Sequence, residues 1–240
     1  MEFDSPKRMI MKSKKVLFQD DGKAYTPKKI QNEISMFQES YIKATEEIIQ
    51  LSKKLDKNGE KFVYCAARIL ISFKMTRRGP FKGINIKSNK NVIGGKILRD
   101  IWDDISNELL TINESVLNSG LSRGRYLLYL DQSHINILTT GIWNIFKRLL
   151  PFTMTENVDG LVGASKVLFS VLPEIVLPID TKQWRALFKT VDLGDIIKGM
   201  ISETKEWESV TGEKLNKMDN TNRLTTIPSV YNVMAMAARF

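Results

Sequence analysis

Apolar side chains in this chain return at steps of three and four residues over most of its length, and that period sets the class of fold. A 3.6-residue repeat gathers such residues on one stripe of a helix, whereas a half-buried strand needs strict alternation. Between 26 and 57, Ile30, Ile34, Phe37, Tyr41, Ile48, Leu51 and Leu55 keep the helical step, with Thr26-Pro27 as N-cap and first helical residue. Asn58-Gly59 interrupts it, and 60–75 forms a second, densely apolar helix. Ile97, Ile101, Ile105, Leu109 and Ile112 mark a helix over 97–117, and another over 135–150 carries Trp143 and Phe146 and is closed by Pro151. An apolar helix over 164–172 stops at Pro173, a further one over 192–210 stops at Gly212, and Pro228 opens the last. The expected fold is all-α, a multi-helix globular fold, with one small β element in 76–96, a hairpin around INIK and NVIG.

Breakers and charge divide the chain into a flexible basic arm over 1–25, a helical hairpin with a basic loop over 26–96, and a helical region over 97–240. The net charge is +9, but residues 1–96 hold 21 Lys and Arg against 10 Asp and Glu, while 97–240 hold 15 against 17. The loop gathers Arg77, Arg78, Lys82, Lys87 and Lys90 among glycines and Pro80. Clustered cations attract phosphate backbones through counterion release, so DNA is the expected partner, with RNA left open. Phe81, between basic residues, either stacks on a base or tucks back onto the core. The longest apolar stretch, 160–179, is interrupted by Lys166, Pro173, Glu174 and Pro178, so no membrane span is expected. A single cysteine, Cys65, cannot form an intrachain disulfide, and with only His134 beside it a Cys/His metal site is excluded. A reducing, cytoplasmic setting without a cofactor follows.

Residues 158–189 carry the chemistry. Gly160 and Gly163 mark a turn before a helix, where free N–H groups can hold a phosphate, though such turns equally serve structure alone. Asp180 with Gln183 three residues on makes a capping-box pattern, ahead of Trp184, Leu187 and Phe188 as an apolar face. Asp180 is thus either a plain cap or a reactive carboxylate, and Lys166 either a solvated lysine or a nucleophile.

GLVGASKV followed by LPIDTKQW resembles the helix-hairpin-helix motif and following aspartate of the helix-hairpin-helix GPD superfamily of base-excision DNA glycosylases. The resemblance implies that Gly160 to Gly163 grip the DNA backbone, that Lys166 attacks the sugar as a Schiff-base nucleophile, and that Asp180 stabilises the developing positive charge or positions water. It also implies a flipped base, in a pocket for which Trp143, Phe146, Phe169 and Trp184 are candidates. Two residues separate the glycines where the family usually has one, which favours the alternative of a non-catalytic nucleic-acid-binding module on the same scaffold. A third reading is a Mg²⁺-dependent nuclease, prompted by Asp180-Thr181-Lys182 and by the acidic face of Asp103, Asp104 and Glu108.

Overall fold

Thr26 accepts a hydrogen bond from the Lys29 backbone and Pro27 occupies the first helical position, so α1 (Pro27–Ser35) begins where the cap signal sits. The computed structural model describes residues 14–156 and 159–238. After α1 come α2 (Glu39–Leu51), α3 (Glu60–Ser72), the antiparallel pair β1 (Asn85–Ile86) and β2 (Val92–Ile93), and α4 (Lys96–Asn118). Then follow α5 (Tyr126–Tyr129), α6 (Gln132–Thr153), α7 (Leu161–Val171), a π-helical turn over Gln183–Phe188, α8 (Leu193–Thr211) and α9 (Ile227–Ala237). The fold is all-α with one two-stranded sheet among the described residues.

Helix α7 is the centre of the packing. Every residue from Gly163 to Val171 is buried, as befits a helix apolar on all sides, and α3, α6 and α2 cover it. Helices α4 and α8 pack on α6, and α9 lies against α1. One continuous set of buried side chains runs from Val16 to Ala235, so 26–96 and 97–240 share a core. Among the described residues, no helix is long and apolar enough to cross a membrane.

Three expectations change. The helix expected over 26–57 is two, because Gln38 takes an extended backbone with ψ 115° and Phe37 turns to meet the Tyr41 ring edge-on at 5.1 Å. Pro151 does not close α6, which runs on to Thr153; so near the C-terminus its missing N–H costs a single helical bond. Residues 14–25, expected within a flexible arm, are docked: Val16, Leu17 and Phe18 are buried, and the Trp207 indole donates to the Tyr25 carbonyl at 2.8 Å. The arm's residues 1–13 lie outside the described residues.

Candidate nucleic-acid interface

Gly160 caps α7 in a left-handed conformation, φ 77°, and is buried; a Cβ there would meet Thr153 Oγ1 at 2.7 Å. The Gly160 carbonyl accepts from the Thr153 hydroxyl at 2.9 Å, and Asp159 Oδ1 accepts the Leu161 N–H at 3.2 Å. One N–H of the first turn of α7 is thus already taken by a carboxylate of the chain itself. Gly163 lies inside the first turn of α7, where a Cβ would come to 3.0 Å from both Phe81 Cε2 and Thr153 Cβ. Close packing thus accounts for both glycines.

Lys166, one turn further, is 4% exposed, and its ammonium lies 4.0 Å from the centroid of the Phe73 ring. An ammonium over a ring face is held by the ring quadrupole. Beside it, the Ser165 hydroxyl bonds both the N–H and the carbonyl of Ile179, each at 3.2 Å. That clamp brings the segment ending in half-buried Asp180 against α7. Asp180 Oδ1 accepts from the Gln183 backbone at 2.8 Å and Gln183 Oε1 accepts from the Asp180 backbone at 2.7 Å, the reciprocal box that the spacing suggested. Gln183 is itself buried and tied to Asn232 of α9 at 3.1 Å, so the cap is anchored to the core.

The basic loop reaches the same place. Phe73, at the end of α3, lies under Lys166, and Phe81, 1% exposed, lies on Gly163. Lys74, Arg77, Arg78 and Lys82 alternate with these two anchors and are all exposed. Phe81 is therefore a core anchor rather than a wedge for DNA. Lys87 and Lys90 are exposed too, carried by the β1–β2 turn, which packs along α3; the Lys90 ammonium reaches the Tyr64 ring at 5.3 Å. Among the described residues, none of Lys74, Arg77, Arg78, Lys82, Lys87 and Lys90 has a carboxylate within 4.0 Å. The stretch 61–99 contains ten Lys and Arg and no Asp or Glu, a signal present in the sequence that the loop's composition alone understates.

The other expected residues lie elsewhere. Phe146, Phe169 and Trp184 are buried against rings: Phe146 is 5.4 Å from Trp143 and 5.8 Å from Trp184, and Phe169 stacks on Tyr41 at 6.4 Å. Phe146, Phe169 and Trp184 thus belong to the core, and Trp143 is half-buried against it. Arg148 bonds Asp104 and Glu108, so two of the three carboxylates Asp103, Asp104 and Glu108 already face a cation, and His134 pairs with Asp131 at 2.8 Å on the surface. Among the described residues, no three His, Cys, Asp or Glu side chains group as a metal set. Burial beside Glu47 and Asp56 pushes the Cys65 thiol up to about 12, away from nucleophile chemistry. Comparison of the chain with protein-family models, curated proteins and solved structures finds no match.

Proposed function

We propose that this protein binds DNA through the exposed cations of 74–90, on a scaffold resembling the helix-hairpin-helix glycosylases. The observation that supports this reading is the double anchoring of the loop on α7, Phe73 under Lys166 and Phe81 on Gly163, with exposed Arg77 and Arg78 between the two anchors in the chain and exposed Lys82 directly after the second. Unpaired surface cations bind phosphate without first breaking an internal ion pair, and they carry no sequence preference of their own. Burial of Lys166 and the Asp159 cap on α7 favour binding without base excision.

A second reading, base excision, draws on the Ser165 clamp that ties the Asp180 segment to the helix of Lys166. Fluorescence anisotropy with normal and lesion-bearing duplexes, repeated with borohydride, separates the two. In the first reading wild type binds every duplex, the double substitution Arg77→Ala/Arg78→Ala weakens binding about tenfold at low salt, and no adduct or free base forms. In the second, Asp180→Asn abolishes base release while binding persists, and trapping is lost in Lys166→Gln. Unaltered binding by the arginine double variant removes the loop as the interface.

A further inference from the structure

A cleft of about 600 Å³ lies between α4 and α6, with Ile112, Tyr126, Leu130, Ile137, Leu138 and Ile145 among its lining side chains. The hydroxyls on its α4 wall are turned back on their own helix: Thr111 donates to the Asn107 carbonyl at 2.9 Å and Ser115 to the Thr111 carbonyl at 2.8 Å. Both donors are thus spent, and that wall suits an apolar occupant. Two features of α6 are unexplained by the chain's own packing. Ile137 lines the cleft yet is 70% exposed. Gly141, one turn on, sits mid-helix, where glycine weakens a helix relative to alanine, although a Cβ there would meet nothing within 4 Å. A protruding apolar side chain and an empty position therefore stand side by side on one helix face. The helix is also uncharged there: from Gln132 to Phe146 it holds no Asp, Glu, Lys or Arg, in a chain of net charge +9. Depletion of charge marks the centre of protein interfaces, and two bodies of like net charge approach most easily through such a face.

We propose that this face joins two copies of the chain, α6 lying antiparallel on α6 about a twofold axis, with Ile137 of each copy over Gly141 of the other. A twofold contact is self-complementary, so that residue i meets j and j meets i. A knob and a hole on the same helix fulfil that condition, whereas an unrelated apolar partner would need only one of them. The spacing agrees. His134, Ile137, Gly141, Asn144 and Arg148 all line the cleft and follow one another at alternating steps of three and four, the repeat of a helix–helix seam. In the antiparallel register that sets 137 over 141, His134 falls opposite Asn144, and Leu130 opposite the apolar stem of Arg148. His134 holds Asp131 through Nδ1, so Nε2 is the nitrogen that meets the Asn144 amide of the second copy. The Arg148 guanidinium stays on Asp104 and Glu108, which leaves no charge to be buried unpaired. This contact is independent of the nucleic-acid reading above.

The test is sedimentation equilibrium of the full chain over about a hundredfold range of concentration, across which wild type should pass from the mass of one chain toward that of two. Ile137→Ala removes the knob and Gly141→Leu fills the hole, and each should weaken dimerisation about tenfold or more. Ile137 is exposed and Gly141 has room for a side chain, so neither change should lower the melting temperature of the dilute, single chain. The double substitution Ile137→Ala/Gly141→Leu rebuilds the pair with knob and hole exchanged, and should bring the dimer constant back to within about threefold of wild type. Added salt should change that constant little, because no ion pair crosses the uncharged face. A chain that stays single at every concentration overturns the proposal, as does a dimer that neither single substitution weakens. Summed losses in the double variant overturn it too, since they mean that 137 and 141 each touch something other than one another.

Discussion

Glu174 lies in the loop that returns from α7 toward Asp180, 3% exposed, with Arg123 Nη2 2.6 Å from its Oε1. None of the Arg123 guanidinium nitrogens that face the interior is aligned on an acceptor, so the ion pair is close without well-directed hydrogen bonds. Burial then outweighs the attraction of Arg123, and the carboxyl is pushed from the ordinary 4.5 up to about 7. The folded protein consequently holds a proton that the unfolded chain releases. This contribution to stability is complete below about pH 4.5 and is lost as pH rises through about 7. Glu203 is shifted in the same direction, also through burial first. Glu174→Gln mimics the protonated form, so its melting temperature should match wild type near pH 4.5 and exceed it near pH 8. An unchanged pH slope in the variant would show that Glu174 does not titrate in this range.

Glu203 also decides how one element is held. Its Oε1 accepts the Val16 N–H at 2.5 Å and the Leu17 N–H, and its Oε2 accepts the Tyr231 hydroxyl at 2.6 Å, tying the 14–18 segment to α8 and α9. Glu203→Ala strands three buried donors, a loss of about 3 kcal/mol or more, and should speed tryptic cleavage after Lys15. Equal cleavage rates in variant and wild type would mean that the apolar contacts of Val16, Leu17 and Phe18 suffice. No local pattern announces such a staple, because its partners meet only in the folded chain, and that is why 14–25 reads as a free arm. Where the signal is local the elements are legible: Thr26-Pro27 opens α1, Asp180 with Gln183 forms its box, Asp192 caps α8 and Gly212 ends it. The break at 36–38 carries neither glycine nor proline, and the π-helical turn after Asp180 hangs on a Lys189 to Trp184 backbone bond that periodicity does not distinguish from an α-helix. The candidate site was half legible for the same reason. Its charges are composition, but the contact of Phe81 with Gly163 is tertiary, and no local pattern announces it.

Across the whole molecule, the net charge of +9 matters less than which cations already have partners. Lys15 meets Glu206 at 2.5 Å, Arg125 meets Glu208 at 2.6 Å and Arg223 meets Glu39 at 2.8 Å, so each presents little field beyond its own pair. Lys74, Arg77, Arg78, Lys82 and Lys87 have no such neighbour among the described residues, and they share one loop. Screening confines each charge to about 8 Å at physiological ionic strength, so a polyanion senses this patch and not the molecular total. Each cation placed on a duplex phosphate contributes roughly 0.9 to the slope of log affinity against log salt. Lys82→Ala or Lys87→Ala should therefore lower that slope by roughly 0.9, and Arg77→Ala/Arg78→Ala by roughly twice as much. Lys15→Ala removes one formal charge as well, yet it frees Glu206 and should leave the slope where it was. Salt titrations of duplex binding across these four variants distinguish patch from total. If Lys15→Ala lowers the slope as far as Lys82→Ala does, binding follows net charge, and the anchored loop has no special part in it.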